Sequence, residues 1–120
     1  FNGRIPMSNA IVKNEFILIQ TALDNEQDGL KIARLLVETK LAACVQLSTK
    51  LTSVYKWEGA IHEAKEFLME IKTTQKNYAD VESFLLKHHP YQLPEIVGIP
   101  IVSGSKKYLD WLADEVGCVR

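Results

Sequence analysis

The chain has 120 residues, 47 % hydrophobic and 24 % charged, the balance of one folded globular domain and not of a disordered or fibrous chain. With 14 Lys and Arg against 15 Asp and Glu the formal net charge is -1, which excludes the broad positive field that draws in nucleic acid whatever its shape. No apolar run approaches the roughly 20 residues needed to cross a bilayer, and none follows a basic segment as in a secretory leader, so we expect a cytoplasmic protein with no membrane partner.

The opening Phe1-Asn2-Gly3-Arg4-Ile5-Pro6 stands before Met7-Ser8 and reads as an expression-vector remnant over residues 1–6, followed by a single domain over 7–120. The first predicted element is a strand over Glu15 to Ala22, because Phe16-Ile17-Leu18-Ile19 is a continuous apolar run of the kind buried on both faces of a sheet. Asp24 with Gln27 three residues on has the form of a capping box, and Leu30, Ala33 and Val37 then recur at helical spacing beside Ile32 and Leu36. We expect a helix from about Asn25 to Lys40 with that apolar stripe on the sheet.

From Leu41 the period changes to two. Ala43, Val45, Leu47, Leu51, Tyr55 and Trp57 fall on odd positions, which predicts one face of a long strand with room for a bulge. Glu58-Gly59-Ala60 is the predicted turn, and beyond it Ile61, Phe67, Met69 and Ile71 alternate with Glu66, Glu70 and Lys72 as a strand with one wet face. The resulting hairpin is too long for so small a domain, and its half-apolar edges call for cover by a second copy of the chain. A helix from about Gln75 to His88 follows, with Val81, Phe84, Leu85 and His88 as its stripe, and Pro90 stops it. A stiff connector with two prolines leads to a short strand at Ile96-Val97-Gly98-Ile99, edged by Pro100. Ser105 caps a last helix striped by Tyr108, Leu109, Leu112 and Val116, with Gly117 as its stop. The order β-α-β-β-α-β plus a helix is the α+β, ferredoxin-like pattern.

Two cysteines make no disulfide framework or zinc knuckle, so Cys44 is expected as a buried reduced thiol and Cys118 in a tail. No serine or cysteine nucleophile sits on a recognisable elbow and no glycine-rich phosphate loop occurs, so no catalytic residue is expected and the chain does not read as an enzyme.

Five segments in order, Leu41-Ala42-Ala43-Cys44-Val45, Tyr55-Lys56-Trp57-Glu58-Gly59, Ile71-Lys72-Thr73, His88-His89-Pro90-Tyr91-Gln92-Leu93-Pro94-Glu95 and Tyr108-Leu109-Asp110-Trp111-Leu112, resemble the CutA divalent-cation-tolerance family over about Phe16 to Leu112. The resemblance implies a homotrimer, PII-like in architecture, whose long hairpin joins neighbouring subunits, and a role in tolerance to copper and related ions. It also implies metal ligands at the paired histidines and at a cysteine ending the first strand; here that cysteine is replaced by Gln20. A metal site for Cu(II) or another divalent cation would use His88, His89 and Glu95, since imidazole and carboxylate suit such ions. The alternative is structural, with His88 in the helix stripe and His89 capping its end. A second candidate site is a subunit cleft formed by Tyr55, Trp57, Glu58, Glu66, Lys72, Tyr91 and Trp111, taking a small anion or nucleotide-like effector. Against it stands the reading of these aromatics as core and interface anchors. Metal binding, sensing of a small molecule and docking of a partner protein all remain open on the sequence.

Overall fold

A continuous apolar strand belongs in the middle of a sheet, and β1 (Phe16–Leu23) lies there, with antiparallel neighbours on both sides. The computed structural model describes residues 15–116; the expectations for residues 1–6, Gly117 and Cys118 lie outside them. Around β1 stand α1 (Glu26–Glu38), β2 (Cys44–Trp57), β3 (Ala60–Thr74), α2 (Tyr78–His88, entered through a 3-10 turn at Gln75–Asn77), β4 (Val97–Pro100) and α3 (Lys106–Glu115). The sheet order β2-β3-β1-β4 interleaves the two βαβ halves, which is the ferredoxin-like arrangement expected. No helix among the described residues is long and apolar enough to cross a membrane.

Alternation along β1 divides the core in two. Ile17, Ile19 and Leu23 face α1 and α2, where they pack with Ile32, Leu36, Val81 and Leu85. Phe16 points the other way, into a smaller cluster with Ala43, Leu109, Leu112 and Val116 beneath α3. Each fully buried leucine of this kind contributes about 2 kcal/mol by removal from water.

Helix α1 begins one residue later than its capping pattern indicates: Asn25 Oδ1, not Asp24, accepts the Asp28 N–H at 2.9 Å. Its buried positions are Gly29, Ile32 and Leu36, whereas Leu30 and Val37 of the expected stripe face outward. The glycine lets this face approach the sheet closely: a Cβ there would stand 3.0 Å from Leu47 Cδ2, a contact tight enough that the leucine would have to shift. At its other end Lys40 takes a left-handed φ of 64°, and the Lys40 and Leu41 N–H groups close onto Val37 O and Leu36 O. That is a Schellman stop built on a residue other than glycine. In α3 the Tyr108 N–H donates to Ser105 Oγ at 3.2 Å, as the cap predicts, but Tyr108 itself is exposed.

β2 and β3 form the long hairpin, joined by Glu58 (φ 50°) and Gly59 (φ 84°), two positive φ values of the turn that matches strand twist. β1 pairs with β3 only from Phe67 to Thr74, so among the described residues no further strand pairs with the distal half of the hairpin. The radius of gyration is 16.3 Å, against about 13 Å for a compact domain of 100 residues.

One correction governs everything that follows. Leu47 pairs with Met69 but Lys50 with Phe67, so β2 carries one residue more than β3 across this step. The bulge at Ser48 and Thr49 turns the odd positions over: Val45 and Leu47 face the helices, while Leu51, Tyr55 and Trp57 lie on the opposite face, beside Glu66 and His62. The expected single odd-numbered face is thus two faces. Ser48 fills the gap in the ladder by accepting the Leu68 N–H at 2.8 Å.

Candidate functional site

The re-aimed half of β2 roofs a cleft of about 920 Å³. Its walls are Tyr55 and Trp57 from the hairpin, Ala22 and Asp24 from the end of β1, and the connector 91–95; Glu66 of β3 lines it from beneath. Tyr55 is steadied by a cross-strand stack on His62, with ring centroids 5.7 Å apart.

Two side chains fix the connector. The Tyr91 hydroxyl donates to Glu66 Oε2 at 2.7 Å, and burial first, then that bond, raises the phenol above its usual range. His89 is buried, with Nδ1 3.1 Å from the Tyr91 N–H and Nε2 2.9 Å from Ala22 O. The backbone donor at Nδ1 requires the neutral tautomer carrying hydrogen on Nε2. Burial lowers the pKa of this ring, and the nearby Glu66 and Asp24 only partly offset that. The placement has a simple cause: β4 pairs with β1 no further than Gln20, so the Ala22 carbonyl has no strand partner on that side and the imidazole supplies one.

The expected metal set is not assembled within one chain. His89 has both nitrogens engaged, His88 is exposed at the end of α2 with its ring 4.2 Å from that of Phe84, and Glu95 accepts from Gln20 Nε2 at 3.0 Å. Among the described residues no three His, Cys, Asp or Glu side chains are grouped to hold an ion. His88 therefore also stands outside the helix stripe in which it was expected.

Of the expected cleft residues, Tyr55, Trp57, Glu66 and Tyr91 come together, and Glu95 and Asp24 join them. The remaining three do not line it. Glu58 is spent on the hairpin turn. Lys72 donates to Gln46 Oε1 at 3.1 Å and lies over the Tyr108 ring, whose neighbour is Trp111. With Lys72 elsewhere, Lys56 is the one cationic side chain lining the cleft among the described residues.

Residues 17–115 match one family model, that of the CutA1 divalent ion tolerance protein. The chain belongs to the CutA1 family. It is 41 % identical over 103 residues to the divalent-cation tolerance protein CutA of Thermus thermophilus, covering 86 % of this chain and 98 % of that protein. To the chloroplastic CutA of Arabidopsis thaliana it is 36 % identical over 112 residues, 93 % of this chain and 62 % of that longer one. The crystal structure of CutA1 from Shewanella sp. SIB1 superposes with a TM-score of 0.85 at 37 % identity, covering 88 % of this chain and 99 % of that one.

For a CutA1-family chain two positions are informative. Gln20, where the resemblance leads one to expect a thiolate, is an amide bonded to Glu95 and cannot offer the soft ligand that selects Cu(I). Cys44 is half-buried, not fully buried as expected, at the start of β2 opposite Lys72. The donor set of the described residues does not fit a resident metal ion.

Proposed function

We propose that this CutA1-family chain contributes to divalent-ion tolerance as a homotrimer, acting as a binding protein and not an enzyme, with its ligand in the cleft beneath the hairpin. The observation that carries this reading is the overhang: Val54 at 64 % and Ile61 at 73 % exposure, with Tyr55 and Trp57 on the other face, extend past the stretch of the hairpin that β1 pairs with. A second copy laid against this arm would cover the apolar residues and close the cleft, giving a PII-like sensor with its site at the seam. The cleft volume of about 920 Å³ falls within the range of small-molecule sites.

Light scattering tests the assembly. The parent is expected at the mass of three chains and the double variant Val54→Asp/Ile61→Asp at one; an unchanged mass sinks the hairpin interface. A thermal-shift screen of EDTA-treated protein against metals and metabolites tests the site. A ligand at a hundredfold excess over Kd raises stability by about 2.7 kcal/mol. The rise should disappear in Trp57→Leu, and a screen with no such ligand refutes the reading.

One feature favours a second reading, in which Cu(II) or another divalent cation is held at His88: its imidazole is exposed and makes no hydrogen bond among the described residues. Calorimetric titration with Cu(II) of the parent and His88→Ala decides it, identical isotherms removing the histidine from consideration.

A further inference from the structure

The polar groups of the cleft are unbalanced. Three carboxylates from three separate segments, Asp24, Glu66 and Glu95, line it with a single ammonium, Lys56. The Tyr91 hydroxyl has already given its hydrogen to Glu66 Oε2, so it offers an incoming molecule only lone pairs. Glu66 is 8 % exposed, yet that one hydrogen bond is all it receives among the described residues. Its carboxylate lines the cleft. The ion pair among the described residues is Lys106 with Asp110 on α3, and none of their side-chain cations pairs with Glu66. A largely buried carboxylate gains from a further donor, preferably a charged one.

From this we propose that the ligand of the cleft is an organic cation, an amine or guanidinium compound with hydrogen-bond donors spread along its length. The inference rests on the cleft being the working site. Tyr55 and Trp57 supply the aromatic walls over which an alkylammonium or guanidinium group is attracted. A bare metal ion uses neither wall and needs several oxygens converging on one point, a grouping absent among the described residues. An anion meets a surplus of acceptors and finds Lys72 turned away onto Tyr108. An extended cation can satisfy carboxylates that lie too far apart to share one ion.

The test is isothermal titration of the full-length, EDTA-treated protein with agmatine, MgCl₂, CuCl₂ and ATP as parallel probes. Agmatine is expected to bind saturably, with affinity at least tenfold weaker in Glu66→Gln, Glu95→Gln and Trp57→Leu. It should be unchanged in Lys87→Ala, an exposed position on α2. Trp57 and Glu95 stand outside the core, so their variants keep the test informative should Glu66→Gln fail to fold. If ATP or CuCl₂ binds in a Trp57-dependent manner and agmatine does not, the organic cation is overturned while the cleft survives as the working site. If no probe binds in a way that Trp57→Leu weakens, both readings fall. An MgCl₂ response equal to that of agmatine reduces the effect to charge screening and also overturns the proposal.

Discussion

Replacing His89 by alanine removes more than a side chain, because the ring joins two backbone segments that no strand pairing connects. The change deletes the bond to Ala22 O at 2.9 Å, the bond from the Tyr91 N–H at 3.1 Å, and an edge-on contact with the Tyr91 ring at 4.8 Å between centroids. Each lost hydrogen bond costs about 1 kcal/mol net, with more where the orphaned group stays dry, and the aromatic contact adds about 0.5–1.5 kcal/mol. Water from the adjoining cleft can reach the freed groups, so the lower ends apply and the total is about 2.5 kcal/mol. Urea unfolding at pH 7.5 and fixed chain concentration measures it. The same titration repeated from pH 7.5 to 5 adds a signed check. The folded pKa of His89 is lowered below the usual 6.5, so the unfolded chain binds a proton first and the parent loses stability as pH falls through 6.5 and below. In His89→Ala that part of the slope should vanish. A loss under about 0.5 kcal/mol at pH 7.5, or an unaltered slope, would show that the ring is not what holds the connector down.

Three further outcomes follow from local chemistry. Thr21 Oγ1 is buried with no hydrogen-bond partner among the described residues, so Thr21→Val should leave stability unchanged or raise it by about 1 kcal/mol in urea unfolding; a loss of that size would reveal a partner. Glu58→Asn suits the left-handed φ of 50° at the hairpin turn and should raise the thermal midpoint, by roughly 0.5 kcal/mol of stability, while a lower midpoint would place the turn residues in another role. Lys40→Gly relieves a φ of 64° at the end of α1 and should stabilise by about 0.5–1 kcal/mol after the greater entropy of unfolded glycine is counted; destabilisation would mean that the lysine side chain contributes contacts of its own.

Much of the fold was legible because it is written in short-range patterns. The apolar run at Phe16–Ile19 placed the central strand, and Ser105 announced α3 through a cap that the Tyr108 N–H completes. The alternation on either side of Gly59 gave the hairpin. Helix α1 was readable in existence but not in orientation, since Leu30 and Val37 match the helical period as well as Ile32 and Leu36 do, and the buried face, on which Gly29 comes close to Leu47, is set by tertiary packing. The site was half legible. Tyr55, Trp57, Glu66 and Tyr91 could be chosen by residue type, but Lys72, on the same face of β3 as Glu66, lies six residues further along the strand, over Tyr108 of α3. The double engagement of His89 depends on where β4 stops pairing with β1, a tertiary fact with no local signature. Asp24 was missed because its neighbours made it look like a helix cap, a task that Asn25 performs.

The extra residue at Ser48 and Thr49 has a consequence for how this chain can vary. It acts as a half-turn in the strand, letting one stretch of alternating sequence serve two environments without any change in its rhythm. Deleting Thr49 would remove the bulge and restore uniform pairing, Ser48 then standing opposite Leu68, while Tyr55 and Trp57 keep their β3 partners and their face. In the regular stretch beyond the bulge, paired insertions or deletions leave the two sides in place and single ones invert them, so the bulge is the one point of this arm where a single residue can be lost without exchanging its sides.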